Sequence, residues 1–167
     1  MNMIAACCRN RGIGVGNRLP WTLDADLQLF KRLTIGNGRN AVLMGRNTWQ
    51  SLPEGKRPLP KRANFVLTGG TGCEGATVVR SATDVERVTA AYDQTWVIGG
   101  GEIYRTFIGH PRLDKIYLTR IDADFDCDTQ FPQIPETFIC LRSDKQDPEE
   151  APDGTRHWLE VYGRRPF

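Results

Sequence analysis

Apolar positions recur along this chain at two periods, and the alternation between them predicts its elements. Short β-rich runs, bounded by glycine, proline and small polar residues, lie at Met3–Cys8, Ala41–Met44, Asn64–Thr68, Thr77–Val79, Thr95–Ile98 and Lys115–Arg120. Between them, stretches with helical spacing predict helices over Leu23–Thr34, after Arg46, over Ala82–Ala91 and over Glu102–Ile108. In the third of these, Thr83-Asp84-Val85-Glu86 supplies an N-cap pattern. A late pair of runs, near Thr137–Leu141 and His157–Tyr162, flanks the polar segment Ser143–Thr155, which reads as an exposed turn or loop with Asp153-Gly154 as its turn signal. Three glycines in Gly12–Gly16, followed by Leu19-Pro20-Trp21, read as a mobile loop ending in an ordered anchor. A second loop, Leu52–Arg62, carries Pro53, Pro58 and Pro60. Strands alternating with amphipathic stretches argue for an α/β fold, and no internal repeat or domain boundary interrupts them. The expectation is one domain over residues 1–167, with a central, mostly parallel twisted sheet, an antiparallel C-terminal strand pair and flanking helices.

Composition narrows the function classes. The 167 residues carry 22 Lys and Arg against 20 Asp and Glu, and a net charge of +2 gives no reason to expect nucleic acid or a membrane surface as partner. No stretch approaches the roughly 20 apolar residues of a membrane span. The N-terminal apolar run is too short for a signal peptide. Five cysteines, Cys7, Cys8, Cys73, Cys127 and Cys140, form an odd set with no CxxC spacing, which reads as reduced thiols in a cytoplasmic chain. With only two histidines and no paired Cys/His spacing, no metal site is expected.

Three segments carry chemistry. At 100° per residue, Leu23, Leu27, Phe30, Leu33 and Leu29 form one apolar arc of the first helix, and Asp26 lies inside it, between the directions of Phe30 and Leu33. A carboxylate on an apolar face costs several kcal/mol unless something pairs with it. Asp26 is therefore either a helix cap or an acid that meets a polar ligand in an apolar pocket, with its pKa raised by desolvation. In Trp96-Val97-Ile98-Gly99-Gly100-Gly101-Glu102-Ile103-Tyr104 a strand runs through three glycines into a helix. That suits close approach of backbone to a phosphate, or simply a tight turn. Met44-Gly45-Arg46-Asn47-Thr48-Trp49 follows another strand and offers Arg46 and Thr48 beside Gly45; Leu67-Thr68-Gly69-Gly70 and Val79-Arg80-Ser81 end two more. Basic, hydroxylated and small residues at several strand ends together suggest a nucleotide phosphate, because an open α/β sheet binds ligands there; singly, each arginine reads as a solvated charge.

These residues also resemble a known family. Ile4-Ala5-Ala6, Ile13-Gly14, Leu19-Pro20-Trp21, Asp26-Leu27 with Phe30-Lys31, Met44 to Trp49, Arg57-Pro58-Leu59-Pro60-Lys61-Arg62, Ile98 to Tyr104 and Asp128-Thr129 with Phe131-Pro132 are similar to dihydrofolate reductase motifs, in family order. The resemblance runs from Met3 to about Pro132 and weakens afterwards. It implies a dihydrofolate reductase-like fold and an NADPH-dependent oxidoreductase that reduces dihydrofolate to tetrahydrofolate for one-carbon metabolism and binds antifolate inhibitors, as a monomer. The catalytic group so implied is Asp26, Trp21, Tyr104 and Thr119, with Asp26 on the pterin edge and Thr119 bridging it. Ile4, Ala5, Leu27, Phe30, Lys31, Ser51, Leu52, Leu59 and Ile98 would surround the substrate, and Arg62 would hold the carboxylate of its glutamate tail. Ala6, Ile13, Gly14, Leu19 and Thr129 would meet the nicotinamide end of the cofactor. Gly45, Arg46, Asn47, Thr48, Gly99, Gly100, Gly101, Glu102 and Ile103 would line its diphosphate stretch, and Leu67, Thr68 and Arg80, with Arg46, its adenosine 2′-phosphate. Gly12–Leu19 would be a lid. The sequence departs from the common bacterial pattern at Cys127, Asp24, Leu19 and Glu102. Two other readings stay open: a pyrimidine-reducing relative, which shares the glycine turn but not the Asp26 helix or the Arg62 loop, and a catalytically silent nucleotide-binding module.

Overall fold

The apolar runs assemble into a single twisted sheet, and the order of its strands decides where a ligand can enter. A computed structural model describes residues 1–166. Its strands are β1 (Asn2–Cys7), β2 (Gly12–Gly14), β3 (Ala41–Gly45), β4 (Ala63–Leu67), β5 (Thr77–Val79), β6 (Thr95–Val97), β7 (Lys115–Ile121), β8 (Thr129–Gln130), β9 (Phe138–Ser143), β10 (Glu149–Glu150) and β11 (Arg156–Arg164). Its α-helices are α1 (Asp24–Ile35), α2 (Arg46–Ser51), α3 (Val85–Thr89) and α4 (Gly101–Phe107). The main sheet runs β10-β11-β7-β1-β6-β3-β4-β5, and β9 also pairs with β11. From β7 through β5 all pairings are parallel; β9 and β10 lie antiparallel to β11, and β11 antiparallel to β7. No helix among the described residues is long and apolar enough to cross a membrane.

Parallel strands covered on both faces read as continuous apolar runs, since each face needs its own core. In β3, Ala41 and Leu43 join a cluster with Phe65, Phe107 and Leu118, while Val42 and Met44 face Trp49, Val66 and Trp96. Helices α3 and α4 supply the first cluster, and α1 and α2 close the second through Phe30, Leu33 and Trp49. The chain leaves β1, builds β3, β4 and β5 outward, then returns to insert β6 between β1 and β3. At such a reversal the connections leave on opposite faces, and a crevice opens at the strand ends.

The predicted elements stand within one or two residues of their observed bounds, with three differences. Gly12–Gly16 is not one mobile loop. Gly12–Gly14 pairs with Thr129–Gln130 as β2 and β8, and only the tip beyond is a turn, closed by paired Val15 and Arg18 backbones. Gly16 and Asn17, at φ +54° and +61°, form its two central residues, the conformation that matches the twist of the flanking strands. The predicted helix Ala82–Ala91 begins as a 3-10 turn over Ala82–Asp84 and is α-helical only over Val85–Thr89. Its N-cap pattern makes no side-chain cap, because Asp84 accepts instead from the Ser81 hydroxyl. The polar segment Ser143–Thr155 is partly strand: β10 adds Glu149–Glu150 to the sheet edge, and Gly154, at φ +89°, makes the expected turn.

Leu43 is fully buried at the centre of the sheet. Leu43→Ala is expected to cost about 2–5 kcal/mol in urea unfolding, the range for a truncated core leucine; an unchanged midpoint would contradict its place in a packed core.

Candidate active site

The apolar arc of α1 is shared between the core and open space: Phe30 and Leu33 pack on the second cluster and Leu23 is buried in a third. Leu27 is 48% exposed and Phe30 half-buried, and both line a cleft of about 930 Å³ at the reversal of strand order. The N-cap residue is Leu23 and no side chain caps the helix, so the cap reading of Asp26 falls away. Its carboxyl turns instead toward the sheet, where Oδ1 accepts a hydrogen bond of 2.6 Å from the Thr119 hydroxyl on β7. No lysine or arginine among the described residues pairs with it. Burial pushes the Asp26 pKa above the ordinary carboxyl range, against smaller opposing pulls from Thr119 and from His157 on β11. Tyr104 of α4 is buried across the cleft, donates its hydroxyl to the Ile4 carbonyl at 2.8 Å, and has its own pKa raised by desolvation.

The strand ends form the other half of the cleft. Gly99 has φ +113°, and a Cβ there would lie 3.0 Å from the Tyr104 ring; at Gly101 it would lie 2.5 Å from Thr129 Cγ2. Side chains are excluded at both points, which leaves bare backbone. The Gly99 carbonyl accepts from Gly45, joining this turn to the start of α2. Arg46 Nη1 donates to the Thr71 carbonyl, and Arg80 Nη1 donates to the carbonyls of Gly70 and Thr68. Two guanidinium groups thus converge on one turn, and neither has a carboxylate partner among the described residues. Such a cradle of glycine backbone and unneutralised cations fits a diphosphate and a further phosphate. Over the cleft stands the tip Val15–Arg18, tied down where Gly16 N–H donates to Asp128 Oδ2 at 3.0 Å and Asp128 N–H to the Gly14 carbonyl. The Gly16 N–H, with the Thr129 hydroxyl, holds the Asp128 carboxyl below its ordinary range.

Most of the residues singled out in the sequence line this cleft. Ile4, Ala5, Ala6, Ile13, Gly14, Leu19, Asp26, Leu27, Phe30, Ser51, Leu52, Leu59, Ile98, Tyr104 and Thr129 do so at one end. Gly45, Arg46, Asn47, Thr48, Leu67, Thr68, Arg80, Gly100, Gly101, Glu102 and Ile103 do so along the strand ends. Five stand back from it. Thr119 lies behind Asp26, and Gly99 is buried beneath the turn. Trp21 packs on Phe125 at 5.6 Å between ring centres, inside a small cluster under the lid. Lys31 is exposed. Arg62 donates to the Pro60 carbonyl and to Thr34 Oγ1, one turn beyond Phe30, and partial burial without a carboxylate lowers its pKa. Ala82, Arg105 and Thr106 also line the cleft and were not foreseen, while Asn17 and Arg18 fall in the expected Gly12–Leu19 segment, Gly69 and Ser81 at the expected strand ends and Asp128 in a family-like motif. Helical spacing from Gly101 and Glu102 points to Arg105 and Thr106.

The dihydrofolate reductase family model matches residues 1–164. Similar curated proteins include the dihydrofolate reductases of Heliothis virescens, 40% identical over 163 residues that cover 90% of this chain and 88% of that one, and of Aedes albopictus, 33% identical over 99% and 97%. That of Bacillus subtilis (strain 168) is 37% identical over 99% of this chain and 95% of its own. The matched span takes in every strand and every residue of the cleft, so the chain belongs to the dihydrofolate reductase family.

Proposed function

We propose that this chain reduces 7,8-dihydrofolate to 5,6,7,8-tetrahydrofolate with NADPH, as a cytoplasmic monomer inhibited by antifolates. The observation that carries the reading is a carboxyl with one hydroxyl partner and no cation partner among the described residues, set beside Leu27, Phe30, Leu52 and Leu59 at the apolar end of the cleft. With Oδ1 engaged by Thr119, Oδ2 is left to the amino and ring N–H edge of a pterin. Leu27, Phe30, Leu52 and Leu59 enclose the rings and exclude water, which strengthens that polar contact. A bound nicotinamide supplies the hydride. Asp26 favours the protonated pterin, or the tautomer that accepts a proton on the ring nitrogen beside the reduced carbon. The Ile4 carbonyl, fixed by Tyr104, marks the inner wall of the ring pocket. Arg62, anchored on Thr34 and lacking a carboxylate of its own, takes the carboxylate of the substrate's glutamate tail. Gly99–Gly101 with Arg46 and Thr48 hold the cofactor's diphosphate, and Arg46, Thr68 and Arg80 its 2′-phosphate.

The direct test follows loss of NADPH absorbance on adding dihydrofolate, for the wild type and for Asp26→Asn. The mutant should lose about two to four orders of magnitude in hydride transfer at neutral pH, the range one positioned acid–base group contributes. The deficit should shrink as pH falls, when solution acid protonates more substrate. Its stability should move the other way. A carboxyl with a raised folded-state pKa favours folding while protonated and loses that contribution as pH rises through the folded pKa. Asp26→Asn should therefore match or exceed the wild type in stability at neutral pH, with the difference vanishing in acid. Wild-type turnover by a normally folded mutant at pH 7 would sink the assignment.

Cofactor choice gives a second test. Charge-assisted bonds to a 2′-phosphate are worth about 1.5–3 kcal/mol each, so kcat/KM should favour NADPH over NADH by about tenfold or more. Arg80→Gln should narrow that ratio by weakening NADPH and leaving NADH nearly unchanged. Equal loss with both cofactors would place Arg80 in structural support of the turn instead.

A further inference from the structure

Two cysteines meet beneath the lid. Cys8 follows β1 and is 1% exposed, in the cluster with Trp21, Leu23 and Ile121. Its neighbour Cys7 turns to the opposite face, among Phe107 and Leu118 with its sulfur 3.6 Å from Arg120 Nη1, so only Cys8 faces the segment after β7. Cys127, on that segment and half-buried, packs on the cluster that holds Cys8, whose thiol donates to Asn10 Oδ1 at 2.9 Å. The Cys127 sulfur and that Asn10 oxygen both crowd Gly12, where a Cβ would stand 2.5 Å from the one and 2.8 Å from the other. Gly12 and Gly14 are the ends of β2, the base from which the lid tip rises. The residue after Cys127 is Asp128, which holds that tip through Gly16 and Gly14. Neither cysteine lines the cleft.

We propose that Cys8 and Cys127 are an oxidative modification site: a dithiol that closes to a disulfide and fixes the lid over the cleft. The co-reactant is a low-molecular-weight disulfide such as oxidised glutathione. Cys127, the more accessible thiol, attacks one sulfur of that disulfide as its thiolate; the S–S bond breaks and one glutathione leaves, taking up the proton Cys127 lost. Cys8 then attacks the Cys127 sulfur, the mixed disulfide breaks, and the second glutathione leaves with the proton from Cys8. Two protein thiols are oxidised by two electrons, and one small disulfide is reduced to two thiols. The groups facing the Cys127 sulfur are Cys8, Asp128 and the Gly14 N–H, while the nearby Arg9 is engaged with Asp122 and Asp124. Burial and the neighbouring Cys8 therefore hold the Cys127 thiol above its ordinary pKa, so thiolate is scarce at neutral pH and closure quickens as pH rises. Once closed, the link joins the end of β1 to the segment that carries Asp128, and the lid loses the freedom to swing away from it. That a fixed lid slows turnover rests on the reductase reading above; formation of the disulfide does not.

The test treats the full-length enzyme with oxidised glutathione across a pH series, blocks remaining thiols, and maps linked peptides by mass spectrometry. Hydrogen exchange over Gly14–Leu19 and NADPH oxidation with dihydrofolate are followed in parallel. The expected product links Cys8 to Cys127, forms faster at higher pH, slows exchange in the lid, and turns over severalfold more slowly until dithiothreitol restores it. Cys127→Ser should keep the activity of the reduced enzyme and show none of these changes, whereas Cys140→Ser should behave as wild type. Cys127→Ala serves as a second variant if the serine disturbs folding. Glutathione stranded on Cys127, a link through another cysteine, or a Cys8–Cys127 link that leaves lid exchange unchanged would overturn the proposal. An enzyme that fails to reduce dihydrofolate before oxidation would count against the reductase reading alone, because the mapping and exchange still decide the dithiol.

Discussion

A carboxyl cannot be carried into an apolar cleft unless a donor meets it there, and in this fold the donor comes from the strand beside β1. Thr119 stands on β7, two strands from β6, and reaches Asp26 on the helix that connects β1 to β3. The contact joins the first helix to a strand laid down 93 residues later. It also leaves the charge uncompensated, since a hydroxyl satisfies one lone pair without cancelling a charge. A lysine in place of that hydroxyl would pin the carboxylate in its ionised form. With threonine, desolvation prevails, and the acid stays poised to exchange a proton with whatever enters.

Strand order makes room for that arrangement. Because β6 returns between β1 and β3, the turn at Gly99–Gly101 lies beside the ends of both neighbours. The glycines are then demanded by contact: Tyr104 fills the space at Gly99 and Thr129 the space at Gly101. One packing solution thus brings a phosphate-sized stretch of bare backbone, the Arg46 and Arg80 guanidiniums and the Asp26 pocket into one continuous cleft. The Val15–Arg18 turn belongs to the same unit, since β8, which pairs with β2 at its base, begins with Thr129.

The sequence was most legible where one periodicity served one purpose. Strand Ala41–Met44 is apolar throughout because both faces are covered, and it stands where expected. The arc on α1 was legible too, but it stopped short of saying that Leu27 faces open space while Phe30 and Leu33 pack on the core. What escaped was set by partners distant in sequence. Gly12–Gly14 looks like a loop until Thr129–Gln130 supplies its other strand, and Glu149–Glu150 is strand only because Arg156–His157 lies beside it. Asp84 sits in a helix-capping pattern, yet the Ser81 hydroxyl claims its carboxylate. Arg105 was missed although it stands one helical turn after Gly101, on the side of α4 that borders the cleft. The roles of Trp21 and Arg62 came from family resemblance alone, and the fold sets both beside the cleft rather than in its wall.

The chemistry of the cleft turns on the protonation of one side chain, which can be watched without turnover. Carboxyl-carbon NMR on the ligand-free enzyme, with Asp26 assigned by its loss in Asp26→Asn, reports that titration directly. The predicted midpoint lies above the aspartate reference of ~3.9, because burial outweighs the Thr119 hydrogen bond. It should move further up in Thr119→Val, where that bond is gone. A midpoint at or below the ordinary aspartate range, unmoved by Thr119→Val, would contradict the central claim.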